Sequence, residues 1–344
     1  MDTVRIVTAE QEIADLRPTG PHVVILGAGA SYAACPNGDA NGRRLPLMKD
    51  FIELLRLGPI LDKTDLVYRC RNFEDVYSEL FARPEYNHVR EELERAVCEY
   101  FRTLRLPSTP NLYDHLVLSL REKDVIATFN WDPFLVQAFR RNSKRCRRRL
   151  PRLLFLHGNV MVGYCETDKV MVLNGNHCGQ CGNLVDPSRL LFPIAEKNYE
   201  KDAFVAEQWQ ELAADMRAAF MVTLFGYGAP ATDAAAIDLL KGAWGDPANR
   251  TLEEIEIINI LPEEELVGTW KPFIYSHHYH VRDDFYSSWL ANHPRRTGEA
   301  YINLNLEAML IYSNPIPRKA SFDELWGWFD ELLEVELEEP QDTA

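Results

Sequence analysis

No run of about 18 consecutive apolar residues occurs in this chain, so the text offers no candidate for a membrane-spanning helix. The N-terminal segment MDTVRIVTAEQEIADLR carries acids where a secretory leader would need an apolar core, and a cytoplasmic location is expected. Cysteine is scarce and odd in number. Of the seven residues, Cys35, Cys70, Cys98 and Cys146 are scattered singly, which does not describe a disulfide framework. Positive charge is in deficit: 37 Lys and Arg against 52 Asp and Glu give a net charge of −15. Such a field repels nucleic acid and anionic membrane, which leaves small molecules and proteins as the expected partners. No internal repeat is visible.

What is present is apolar material. At 46% hydrophobic residues over 344 positions, the chain can bury a large core and should form one domain with an insertion, or two domains. Residues 22–27 (HVVILG) form a β-branched run stopped by glycine, as expected of a buried parallel strand entering a turn. Pro46 then opens PLMKDFIELLRL, whose spacing predicts a helix over 46–57. Apolar residues at intervals of three and four continue to about residue 121 and mark an all-helical insertion over 46–121. Strand text returns at 124–130 and 152–158 with a helix between them, which is a βαβ unit. A helix over 201–220, a strand at 221–226, a helix over 232–241 and a strand at 254–261 follow. This alternation predicts an α/β fold: a Rossmann-like open parallel sheet with helices on both faces. Residues 159–195, polar and cysteine-bearing, read as a small separate module, and 321–335 as an amphipathic helix within a C-terminal extension over 263–344.

The chemistry-bearing residues fall at the ends of these strands, where doubly wound sheets bind ligands. Gly27-Ala28-Gly29-Ala30-Ser31 follows the first strand directly, and its glycines would let the backbone approach a pyrophosphate while Ser31 and nearby amides donate hydrogen bonds. Such a turn is also plain punctuation after a strand. Thr128-Phe129-Asn130-Trp131-Asp132 ends the next strand, His157-Gly158-Asn159 another, and Gly226 to Asp233 (GYGAPATD) a fourth. Asp132 and Asp233 could equally cap the helices that follow them.

In order, these segments resemble the sirtuin family, and most nearly the sirtuin-like NAD hydrolases of bacterial anti-phage defence. The series is a G-A-G-x-S turn, a helical insertion, T-x-N-x-D, a strand ending in His-Gly, a cysteine module, a glycine-tyrosine turn with an aspartate, and a strand carrying Asn259. It covers residues 20–262, and the resemblance makes 1–262 an NAD-binding domain. It implies that Gly27, Ala28, Gly29 and Ser31 take the pyrophosphate, with Thr128, Asn130 and Asp132 around nicotinamide and its ribose. It makes His157 the catalytic base and sets Gly226, Tyr227, Asp233 and Asn259 along the adenosine side. Deacylating sirtuins have a glutamine where this chain has Phe129, and a Gly-Ile-Pro-x-Phe-Arg segment that is absent here. Those departures point to the NAD hydrolases, with Asn130 and His157 as the catalytic pair and Asp132 on the nicotinamide carboxamide. Chemically, an oxocarbenium-like transition state needs a held leaving ring, a dry site and a nucleophile. Asn130 can orient a water or ribose hydroxyls without adding charge, and an imidazole such as His157 can take the proton.

Sirtuins hold a structural zinc on two Cys-x-x-Cys pairs after the His-Gly. Here Cys178 and Cys181 make one pair and Cys165 stands alone, so either a zinc lacking an identified fourth ligand or a metal-free module fits. The basic run from Arg140 to Arg149 reads as a solvated segment facing acidic surface such as the tail DELLEVELEE, rather than a docking patch. His277, His278 and His280 read as surface or subunit-contact residues. The expected function is NAD glycohydrolysis that depletes NAD during infection. The rivals are a protein deacylase or ADP-ribosyltransferase, and a non-catalytic NAD or ADP-ribose sensor. Control would come from homo-oligomerisation or from a partner ATPase of the HerA type.

Overall fold

The computed structural model describes residues 6–8, 11, 20–146, 149–194, 199, 201–229 and 233–337, and in it the apolar runs become the strands of one sheet. These are β1 (His22–Leu26), β2 (Val125–Thr128), β3 (Arg152–Phe155), β4 (Met221–Phe225), β5 (Glu254–Ile258) and β6 (Tyr279–Arg282). All pairs are parallel, in the order β3-β2-β1-β4-β5-β6. This is the doubly wound order in which the chain reverses direction between β1 and β4 and opens a crevice at their carboxyl ends.

Both faces are covered because the strands are apolar on both. Val24, Leu26, Ile126, Phe225 and Ile258 join one core with the helical insertion, while Val23, Ile25, Val125, Val222 and Ile257 join a second core on the opposite face. After β1 come α1 (Ala28–Ala34) and the insertion: α2 (Phe51–Leu54), α3 (Gly58–Leu61), α4 (Phe73–Phe81), α5 (Asn87–Arg102) and α6 (Leu112–Leu118). Crossovers α7 (Phe134–Cys146), α8 (Ala203–Ala218), α9 (Ala234–Trp244) and α10 (Glu263–Trp270) link the remaining strands.

Two readings of the sequence change, and two histidines gain partners. The expected helix over 46–57 shrinks to α2, because residues 45–48 form no helix and Leu45, Pro46 and Met48 line a cavity. There the Asp50 carboxylate accepts from the Leu47 amide and the Met48 carbonyl from the Phe73 amide. The sheet also does not stop at 262. β6 pairs with β5 along Tyr279–Arg282, and its half-buried edge text YHVR lacks the apolar run that marks the other strands. Finally, His280 and His278 have protein partners: His280 Nδ1 pairs with the buried Glu254 of β5, and His278 Nδ1 lies 3.1 Å from the Tyr301 hydroxyl.

The C-terminal helix α11 (Phe322–Leu337) lies against α7. Arg145 of the basic run pairs with Asp330, and the Trp326 indole donates to the Asn142 carboxamide oxygen at 2.9 Å. Arg141 turns inward to Asp114, so two cations of the run, Arg141 and Arg145, meet acids of this chain; Arg147 and Arg148 lie outside the described residues. Among the described residues, no helix is long and apolar enough to cross a membrane.

Candidate active site

A cavity of about 340 Å³ opens at the carboxyl ends of β1, β2, β3 and β4. It gathers Gly27, Ala28, Ser31, Asn130, Asp132, His157, Gly226, Tyr227 and Asp233 of the residues singled out above, together with walls from the insertion. Gly29, Thr128 and Asn259 are not among its lining residues. Thr128 sits directly behind, its hydroxyl accepting from the Asn130 amide at 3.0 Å. Asn259 stands at the end of β5, where its carboxamide oxygen accepts from the Leu261 amide at 3.2 Å, a turn contact.

The glycine turn joins two strand ends. The amides of Gly27, Gly29 and Ala30 are spent inside the protein, on the carbonyls of Phe225, Gly226 and Gly27 at 2.9, 2.9 and 3.0 Å. The glycines allow the turn after β1 to touch the turn after β4: a Cβ on Gly27 would lie 2.5 Å from the Gly226 carbonyl oxygen. Gly226 itself has φ +61°. Close approach of two strand ends is what these glycines serve in this structure.

Asn130 is held from three sides. Its amide nitrogen donates to the Gly27 carbonyl at 2.8 Å and to the Ser31 hydroxyl at 2.9 Å, so its oxygen is the group left to orient a ligand or a water. Ser31 donates in turn to Asp132 Oδ2 at 2.6 Å, while Oδ1 of Asp132 caps α7 by accepting from the Phe134 amide at 3.0 Å. The capping alternative for Asp132 is therefore realised together with a place in the cavity wall. Burial raises the Asp132 pKa to about 6, against the hydrogen bonds from Ser31 and Phe134 that lower it. Asn159, at the same strand end as His157, fixes the loop after β2 by donating to the carbonyls of Asn130 and Asp132 at 3.2 and 2.7 Å.

His157 is 6% exposed, its ring edge-on to Phe129 with centroids 4.8 Å apart and its Nε2 3.1 Å from the Tyr199 hydroxyl. It follows β3, and the chain turns there through Gly158 at φ +73°, where a Cβ would run into the Arg189 carbonyl. Phe129 also stacks on Tyr227 at 4.3 Å, and the Tyr227 hydroxyl donates to Asp233 at 3.2 Å. Phe51, Phe101 and Trp131 complete an aromatic lining. The charged side chains among the described lining residues are Glu74, Asp132 and Asp233, with no Lys or Arg. A flat ring bearing positive charge matches such a wall, through ring faces and carboxylates alike.

The cysteine module is a three-stranded antiparallel sheet built on Val162–Cys165, Val170–Leu173 and Asp186–Pro187. It brings Cys165, Cys178 and Cys181 together with Asp168, all four ligand atoms lying within 4.8 Å of one another. Cys165 and Cys181 sulfurs are 3.5 Å apart, and Asp168 Oδ2 is 3.0 Å from the Cys178 sulfur. A zinc tetrahedron with bonds of roughly 2.0 and 2.3 Å has edges of about 3.5–3.8 Å, so the donor set fits such an ion. The fourth position missing from the cysteine pattern is thus Asp168, and its spacing, Cys165-x-x-Asp168 before Cys178-x-x-Cys181, was the available signal. His177 is turned to the Gly182 carbonyl, with 2.9 Å between Nδ1 and the oxygen.

No protein-family model matches the chain, and no curated protein matches it in sequence. Among solved structures it is similar to a Sir2 homologue in complex with NAD, at 15% identity over 94% of this chain and 93% of the other, with a TM-score of 0.41. A Sir2 homologue in complex with ADP-ribose aligns at 15% identity over 94% and 96%, TM-score 0.41, and a Sir2 protein bound to a propionylated peptide at 14% over 84% and 93%, TM-score 0.33. Likenesses this slight assign no activity, and the functional reading rests on the residues of the cavity.

Proposed function

We propose that this chain is an NAD glycohydrolase that cleaves NAD to nicotinamide and ADP-ribose, and that it serves in anti-phage defence by emptying the cell of NAD. What carries the reading is the meeting of Asn130 and His157, from adjacent strand ends, in an aromatic cavity lined by carboxylates and by no described cationic side chain. The leaving ring of NAD is a cation held face-on by such walls. In the reaction the bond from ribose C1′ to the ring nitrogen breaks, and its electron pair goes to that nitrogen and neutralises it. A water oriented by the Asn130 oxygen forms the new bond to C1′, and its proton passes to a ring nitrogen of His157. Asp132 and Asp233 stabilise the positive charge that develops on the ribose. Phe129 places an apolar ring where the deacylating sirtuins carry an amide, which favours hydrolysis over acyl transfer. Because such an activity must be silent at rest, we assign its control to assembly, with further copies of the chain or with a HerA-type ATPase in the cytoplasm.

The test is nicotinamide release from NAD with and without an acyl-lysine peptide. Release without peptide, lost in Asn130→Ala, is the expected result; release only with peptide would identify a deacylase, and equal release by Asn130→Ala would remove the pocket from the chemistry.

We further propose that Cys165, Asp168, Cys178 and Cys181 hold one structural zinc, which when bound ties the hairpin to the Cys178–Cys181 loop. Elemental analysis of protein purified without chelator should return about one zinc per chain, and Asp168→Ala should lose most of it on dialysis. Protein free of metal would dispose of the idea.

A further inference from the structure

We propose that Tyr113, a residue of the helical insertion that does not line the cavity, is the positioning residue that sets Ser31 and Asn130 for the reaction. The inference rests on the hydrolase reading of the site. Tyr113 lies on α6, is 1% exposed, and brings its hydroxyl to 2.6 Å from the Ser31 hydroxyl and 3.4 Å from the Asn130 amide nitrogen.

Counting donors and acceptors fixes the direction of every bond. The Asn130 amide hydrogens can only be given away, one to Gly27 and one to the Ser31 and Tyr113 oxygens. Ser31 has a single hydrogen, which goes to the Asp132 carboxylate. The Tyr113 hydroxyl must therefore donate to Ser31, filling the second lone pair of that oxygen. Burial raises the Tyr113 pKa well above its ordinary value, so the phenol keeps the hydrogen that this role needs. Ser31 then has no freedom to turn, and neither has the amide that presents the Asn130 oxygen to the cavity.

The phenol is itself held in place. α6 begins in a capping box between Asn111 and Asp114, and Asp114, fully buried, pairs with Arg141 and accepts from the Asn142 amide at 2.8 Å. Both partners belong to α7, the helix that Asp132 caps. Tyr113 and Asp132 thus reach Ser31 from two helices tied to each other by the ion pair of the buried Asp114 with Arg141, so the insertion takes part in shaping the site.

Tyr113→Phe keeps the ring and removes only the hydroxyl. Its kcat for NAD should fall about tenfold while KM stays within about twofold, since the group acts on the orientation of Asn130 rather than on ligand contacts. In the double variant Ser31→Ala/Tyr113→Phe, kcat should equal that of Ser31→Ala, because Tyr113 acts through Ser31. Thermal unfolding supplies a readout independent of turnover: the two substitutions should be non-additive in midpoint. Parental kcat in Tyr113→Phe, with Asn130→Ala inactive, overturns the role of Tyr113 and leaves the hydrolase standing. Multiplicative effects on kcat, or additive effects on unfolding, overturn the network itself. An Asn130→Ala variant as active as the parent sinks the hydrolase reading and this inference with it.

Discussion

His157→Ala should slow NAD cleavage by roughly two to four orders of magnitude, the usual loss when a general base is removed, while NAD affinity changes little. The imidazole is buried at the end of β3, edge-on against Phe129 with its Nε2 3.1 Å from the Tyr199 hydroxyl, and it lines the cavity in which the proposed base is needed. Calorimetric titration beside a turnover assay would separate the two effects. A parent that binds NAD but never turns it over, with a variant that merely binds less, would convert the enzyme into a sensor. Turnover of the parent should also decline as pH falls through about 6, where Asp132, lifted by burial, takes up a proton and can no longer stabilise positive charge on the ribose. Asp132→Asn should lose that inflection.

The second large effect is on stability. Gly226→Ala should cost about 3 kcal/mol or more, because the residue sits at φ +61° and an added Cβ would strike the backbone of Gly29 and Ala30. The turns after β1 and β4 would have to separate, taking the floor of the cavity with them. Gly242→Ala on α9 is the control: its Cβ meets open space, and alanine in a helix interior should leave stability equal or slightly higher. In thermal unfolding, Gly226→Ala should melt at least about 5 °C below the parent. A variant melting with the parent would show that the two turns are not packed as described.

The sequence pattern carried the fold where residues were buried on both faces. HVVILG, DVIATFN, MVTLFG and EIEIINIL were readable as strands because a central parallel strand is apolar throughout. β6 is not legible in the sequence because an edge strand is half exposed, and the histidine and arginine of YHVR answer the buried Glu254 and Glu256 across the ladder rather than an apolar core. The one-turn α2 is shorter than the apolar spacing over 46–57 predicts, because Leu45, Pro46 and Met48 are apolar as a cavity wall rather than as a helix face.

By itself the sequence determined which strand ends carry polar and glycine-rich text, since buried runs ending in such residues are a local property. It thereby nominated Asn130, Asp132 and His157, which the fold gathers in one cavity. Only the tertiary structure decided what those residues touch. Ser31, Tyr113 and Asp132 meet although 82 and 101 positions separate Ser31 from its two partners. Asp168 joins three cysteines because a hairpin folds it back onto them. The glycines after β1 press against Gly226 because β1 and β4 are neighbours, an order of strands that no periodicity encodes. Local spacing records which face of an element is buried; what lies against that face is set by elements far along the chain.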